Sequence, residues 1–200
     1  MKTIIIGKNS SISKHVNKNL KNSFLLSANK LNEAVVTKIF KKYKKINLIF
    51  NNFYPSKNLN TLNQNDYKKF CELSLEKISL VFQKVPSSKI NKIIYTSSAS
   101  IYRISEHLSH PKKDNFNREL YSSFKFAAEK LIINYANKKK KKYFIMRLFN
   151  TYGDPLDKFS FIENIINSKK DDKKILLINN GNSIRDFIHV KDIAQIYKLL

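Results

Sequence analysis

The stretch TIIIGKNSSIS, residues 3–13, decides how the chain is read. Three isoleucines running into Gly7 predict a buried strand that stops at a glycine, and residues 10–20 then predict a helix. The same rhythm continues outward. SFLLS (23–27) is a short second strand, NEAVVTKIFKKY (32–43) a helix with Asn32 as N-cap, and INLIFNN (46–52) a third strand. Residues 64–84 carry a long helical pattern that stops near Pro86. KIIYTSS (92–98) is a fourth strand, ELYSSFKFAAEKLIINYA (119–136) a strongly patterned helix, and YFIMRLFN (143–150) a fifth strand. Strands alternating with helices predict an α/β fold: a doubly wound parallel sheet, helices on both faces, right-handed crossovers. After TYGDP (151–155) the rhythm changes. A helix near 158–169, a strand KILLIN (174–179), a turn at Asn180-Gly181-Asn182, the segment IRDFIHV (184–190) and a helical end KDIAQIYKLL follow. The expected division is therefore a sheet domain over 1–155 and the start of a second lobe over 156–200.

Composition narrows the function classes. Two hundred residues with 42% hydrophobic content support a core of one domain. No run of apolar residues is long enough to span a bilayer, and the three isoleucines near the start are too few for a signal-peptide core. The single Cys71 leaves no internal disulfide and fits a reducing cytoplasm. His15, His107, His110 and His189 show no zinc-like spacing, so no metal is expected. The formal charge of +23 suggests nucleic acid. However, lysine outnumbers arginine 34 to 4 and is scattered, apart from the run in NKKKKKYF (137–144). Abundant Lys, Asn and Ile share adenine- and thymine-rich codons, an ordinary origin for the bias. The same positive field favours small anions such as nucleotides, and nucleic acid is set aside as a partner.

Two places at the expected carboxyl edge of the sheet carry chemistry. In GKNSSIS, Gly7, Ser10 and Ser13 occupy the three glycine positions of a Gly-x-x-Gly-x-x-Gly turn, with Ser11 and Ile12 between the serines. Such a turn lets backbone N–H groups and a helix N-terminus approach a pyrophosphate. Two glycines have become serines, and an ordinary strand–turn–helix would look similar. The second place is YSSFK (121–125), where Tyr121 and Lys125 share one face of a helix. Composition predicts roughly one and a half Tyr/Lys pairs at this spacing. The chain has two, Tyr121/Lys125 and Tyr135/Lys139. Spacing alone does not choose between them.

Context does. The run Thr96-Ser97-Ser98-Ala99-Ser100-Ile101-Tyr102, then YSSFK, RLFNTYGD and IRDFIHVKDIA, resembles in that order the extended short-chain dehydrogenase/reductases, specifically the NAD-dependent nucleotide-sugar epimerase/dehydratase branch. The resemblance implies a Rossmann-type domain and a catalytic triad of Ser98, Tyr121 and Lys125. Tyr121 is the acid/base, Lys125 lowers its pKa and holds the nicotinamide ribose, and Ser98 bonds the reacting oxygen. It implies cofactor contacts at Gly7, Ser10, Ser11, Ile12, Ser13, Ser27, Asn51, Tyr121 and Lys125. It also implies contacts to a nucleotide-sugar at Ser98, Asn150 and Arg185, and a homodimer through helices 64–84 and 119–136. By the residues alone, Asn150 reads equally as a turn residue and Arg185 as a surface ion pair with Asp186. Tyr135/Lys139 lies about four turns along the same helix and reads as the coincidental pair. His189 belongs to a structural motif of these relatives.

The departures from the family pattern also carry meaning. Ser98 is followed by Ala99-Ser100 where dehydratases have an Asp-Glu pair, which points to epimerisation rather than elimination. Ser27 stands where NAD-specific relatives have an aspartate, so NADP stays open beside NAD. Phe53 and Tyr54 are bulky for a cofactor wall, Arg103 replaces a usual glycine, and the second lobe is expected to be partial. The expected activity is a nucleotide-sugar epimerase working by transient carbinol oxidation. A reductase or dehydrogenase of the same family and a non-catalytic dinucleotide-binding relative are the alternatives.

Overall fold

The computed structural model describes residues 1–51, 64–102, 119–153, 161–170 and 184–200. Five strands form one parallel sheet: β1 (Lys2–Ile6), β2 (Ser23–Leu26), β3 (Ile46–Phe50), β4 (Ile90–Ser98) and β5 (Lys142–Leu148), in the order β2-β1-β3-β4-β5. The order reverses between β1 and β3, which creates the crevice at their carboxyl ends where open α/β sheets bind ligands.

Side-chain alternation along β1 explains the two faces. Ile4 and Ile6 enter one cluster and Ile5 the other, and all three are fully buried. Each contributes about 2 kcal/mol by burial. The first cluster is closed by α2 (Glu33–Lys41) through Val36 and Phe40, by α4 (Lys77–Lys84) through Ile78 and Val81, and by α5 (Leu120–Lys138) through Ala128 and Ile132. The second is closed by α1 (Ser11–Asn19) through Val16 and by α7 (Val190–Leu199) through Ile193, Ala194 and Tyr197. The doubly wound α/β expectation is what the chain adopts. Helix α7, read from the sequence as part of the second lobe, packs on α1 and the sheet instead, because its Ile193/Ala194/Tyr197 stripe is apolar.

Local signals act as the sequence implies. Asn32 caps α2 by accepting from the Val35 N–H at 2.9 Å. The 64–84 pattern is three segments: α3 (Gln64–Cys71), a π-helical turn at Glu72–Glu76, and α4. The fifth strand ends at Leu148, earlier than expected. Asn150 starts a separate strand, β6 (Asn150–Tyr152), parallel to β7 (Phe187–His189). Helix α6 spans Phe161–Lys170. The expected strand 174–179, the turn at 180–182, and Phe53, Tyr54 and Arg103 lie outside the described residues. Among the described residues no helix is long and apolar enough to cross a membrane.

Candidate functional site

The carboxyl tip of β4 runs straight into a short 3-10 helix, Ala99–Ile101. Ser98 starts this turn, and its Oγ accepts from the Ser100 N–H at 3.2 Å and from the Ser100 hydroxyl at 2.9 Å. Helix α5 begins against it: the Ser122 hydroxyl donates to the Ser100 carbonyl at 2.8 Å. That anchor presents Tyr121, in the first turn of α5, to Ser98, and the two side chains hydrogen-bond. One turn along, Lys125 is buried. Its Nζ donates to the Thr96 carbonyl at 2.8 Å and lies 5.9 Å from the Tyr121 ring centroid and 5.2 Å from that of Tyr95. The Thr96 hydroxyl shares a 2.6 Å hydrogen bond with Tyr197 of α7, so both faces of the sheet brace this strand tip.

The electrostatics depart from the sequence expectation. Burial raises the Tyr121 phenol above its ordinary value, and the bond to Ser98 only partly opposes this. A lowered tyrosine pKa was expected from Lys125, but burial acts on the lysine too. It brings the Lys125 ammonium down to about 7, against the pull of Glu129. At neutral pH, Tyr121 is therefore a neutral phenol, a proton donor, above an amine poised between its two forms.

The β1 tip is built differently. Gly7 has φ +121°, a conformation closed to other residues without strain, and its N–H donates to the Leu26 carbonyl of β2 at 2.9 Å. Ser10 is the N-cap of α1, its Oγ accepting from the Ser13 N–H at 3.4 Å. Asn51, just past β3, donates its side-chain amide to both Ser10 Oγ and Ser13 Oγ at 2.7 Å, and its N–H to the Ile6 carbonyl at 2.8 Å. The serines at the glycine positions thus serve to fasten α1 to the switch point. Ser11 and Ile12 occupy the first turn of α1, and Ser27 stands half-buried just past β2. Hydroxyls, a helix N-terminus and a positive-φ glycine at one crevice form a donor set that fits a dinucleotide pyrophosphate.

Two of the residues expected to contact the substrate, Asn150 and Arg185, lie in and next to the small sheet. Asn150 donates from Nδ2 to the Asp186 carbonyl at 3.0 Å and pairs in register with Phe187, which puts exposed Arg185 two residues from the Asn150 partner. Among the described residues no ion pair joins Arg185 to Asp186. His189 caps α7, its Nδ1 accepting from the Lys191 N–H at 3.1 Å. At Gly153, φ +118°, a Cβ would meet His189 Nε2 at 2.6 Å, so this position needs its glycine.

The sequence reading missed one pair. Glu129 of α5 and Arg147 of β5 form a two-pronged salt bridge beside Lys125. A glutamate on the apolar face of a helix and an arginine within YFIMRLFN were its visible signals.

The comparisons agree with the fold. UDP-glucose 4-epimerase of Thermus thermophilus, solved with NAD, superposes with a TM-score of 0.82 at 14% identity, over 100% of this chain and 74% of that one. UDP-N-acetylglucosamine 4-epimerase of Methanobrevibacter ruminantium, solved with UDP-N-acetylmuramic acid, gives 0.82 at 16% identity, over 99% and 72%. UDP-glucuronic acid 4-epimerase of Bacillus cereus, solved with UDP-glucuronic acid and NAD, gives 0.82 at 16%, over 98% and 71%. At such identities the likeness speaks for the fold. Protein CapI of Staphylococcus aureus is 30% identical over 112 residues, which is 53% of this chain and only 32% of that relative. The family model matches residues 3–200, from the first strand through α7, and on that breadth the chain belongs to the NAD dependent epimerase/dehydratase family.

Proposed function

We propose that the protein is an NAD(P)-dependent nucleotide-sugar epimerase acting by transient oxidation of a carbinol, with Ser98, Tyr121 and Lys125 as its reactive residues. The observation that carries this reading is the corner at the β4 tip: Tyr121 bonded to Ser98 and stacked over the buried Lys125 ammonium. Gly7, Ser10, Ser11, Ile12, Ser13, Ser27 and Asn51 would hold the dinucleotide at the switch point, with NAD favoured by the family and NADP open at Ser27. When bound, the dinucleotide supplies a hydride acceptor and, in its oxidised form, a positive charge. Tyr121, once ionised to the phenolate, takes the hydroxyl proton of the sugar and later returns it; Ser98 donates a hydrogen bond to the same oxygen. Lys125, when charged, makes the phenolate less costly. Asn150 and Arg185 would hold the nucleotide-sugar, the guanidinium gripping its diphosphate.

Epimerisation is preferred to dehydration because Ala99 and Ser100, which follow Ser98, offer no carboxyl group for elimination. A reductase using the same residues is the second reading. A homodimer through helices 64–84 and 119–136 and a cytoplasmic site of action go with the same proposal. The latter is suggested by the lone Cys71.

The test uses the substrates of the structural neighbours. UDP-glucose, UDP-N-acetylglucosamine and UDP-glucuronic acid are each incubated with the protein and NAD, and the C4 epimer is sought by NMR. Conversion of at least one is expected, alongside enhanced NADH fluorescence on mixing with the protein. Fluorescence without conversion in either direction would move the assignment to the reductase or the dinucleotide-binding relative. No response to NADH or NADPH would remove the enzyme reading.

A further inference from the structure

Among the described residues Glu129 is the one buried carboxylate, 1% exposed and one turn beyond Lys125 on the inner face of α5. A carboxylate in that place is costly unless paired. Arg147 pairs it with two parallel bonds, Nε to Oε1 at 2.9 Å and Nη2 to Oε2 at 2.7 Å. The Arg147 guanidinium also lies over the Tyr102 ring, Cζ 4.9 Å from the centroid, and bonds the Tyr102 phenol. Tyr102 closes the short helix that starts at Ser98. The contacts therefore run from Lys125's own helix to β5 and back to the Ser98 turn. Apolar side chains would join α5 to β5 with less desolvation. What an ion pair adds here is a negative group close to a buried ammonium.

We propose that Glu129, clamped by Arg147, is a positioning residue for the reaction centre, keeping Lys125 charged and seated on the Thr96 carbonyl beneath Tyr121. This rests on the reading of Lys125 as part of the site. Tyr121 and Glu129 face Lys125 from α5, and Tyr95 and the Thr96 carbonyl face it from β4; Arg147 faces Glu129 from β5. Burial raises both tyrosines, whereas the Glu129 carboxylate opposes the loss of the lysine proton.

Lysine labelled with carbon-13 at Cε, with the Lys125 signal assigned by its loss in Lys125→Met, reports the titration directly. The Lys125 midpoint is expected to fall by about one pH unit or more in Glu129→Gln, where the Arg147 charge is also stranded. In the double variant Glu129→Gln/Arg147→Met, which strands no charge, it is expected to fall by less. A midpoint unchanged from the parent in folded variants would overturn the proposal. If the single variant does not fold, the double variant decides by the same comparison. The titration needs neither dinucleotide nor sugar, so its failure is distinct from failure of the epimerase reading, which shows as an absent NADH response or absent conversion.

Discussion

Helix α5 carries the same pair twice, and its two ends show what the spacing leaves undecided. At the N-terminal end, Tyr121 meets Ser98, and Lys125 is buried on the Thr96 carbonyl. At the C-terminal end, Tyr135 stacks face to face on Phe82, centroids 3.8 Å apart, while Lys139 is the exposed C-cap residue. Burial raises both phenols. The difference is the company: one hydroxyl has a hydrogen-bonding partner and a buried cation at a strand tip, and the other sits in a hydrophobic cluster with no hydrogen-bond partner for its Oη among the described residues. A residue pair becomes a site through the sheet edge it faces, not through its sequence interval.

The largest expected effect breaks the pair at the N-terminal end. Tyr121→Phe removes the proton carrier and should lower turnover of the responsive nucleotide-sugar by about 10²-fold or more. Tyr135→Phe should leave turnover within about twofold, since no reacting atom is near it. Steady-state assays of the two variants side by side are the check. Equal losses would remove the distinction between the two ends.

Next in size is a pH effect on stability. Lys125 holds its proton in the unfolded chain up to about its ordinary 10.5 but loses it near 7 in the folded protein. Between those values the unfolded state binds more protons, so stability rises with pH across that window, and the cost of burying the charge is largest below 7. Lys125→Met lacks this cost. Its advantage over the parent should be greatest at pH 6 and shrink by on the order of 3 kcal/mol by pH 9.5. Urea unfolding of both proteins at the two pH values measures it. A constant gap would mean that Lys125 keeps its ordinary titration.

Smaller still is the stability effect of Tyr135→Phe. Its buried hydroxyl has no hydrogen-bond partner among the described residues, so deleting the oxygen removes an unmet desolvation cost. The variant should be as stable as the parent or more stable by about 1 kcal/mol, read from the urea midpoint. A clear loss would reveal a partner for that hydroxyl.

The ends of α5 also show how much the sequence could tell. The sheet was legible because TIIIG, INLIF and KIIYT are short apolar runs whose burial needs nothing beyond their own neighbours. Asn51 was legible as a polar group at the β3 tip, but its bonds to Ser10 and Ser13 join residues 41 and 38 positions away, and no local pattern encodes them. The β5–β6 break was hidden because Phe149 continues the apolar run. Asn150 leaves it to pair with a strand whose register is set by Phe187, far along the chain. The direction of the Tyr121 shift was misjudged for a related reason. Spacing reveals the nearby lysine, whereas the depth at which both groups lie depends on how α5 packs against β4.

The finest test of the contrast lies at the very end of α5. Lys140 holds φ +51°, and the Lys141 N–H reaches back to the Ala136 carbonyl at 2.8 Å while the Lys140 N–H bonds the Asn137 carbonyl at 3.2 Å. This is a left-handed helix stop, normally made by glycine because a Cβ crowds the following carbonyl. The Lys140 side chain is exposed, so replacing it forfeits little packing. Lys140→Gly should raise the urea midpoint by the equivalent of about 0.5–1 kcal/mol with an unchanged m-value. Turnover should stay at the parent level, because strain relieved at this end has no contact path to Tyr121 other than the rigid helix itself. A variant that gained stability but lost activity would mean the two ends of α5 communicate, and the separation drawn between them would not hold.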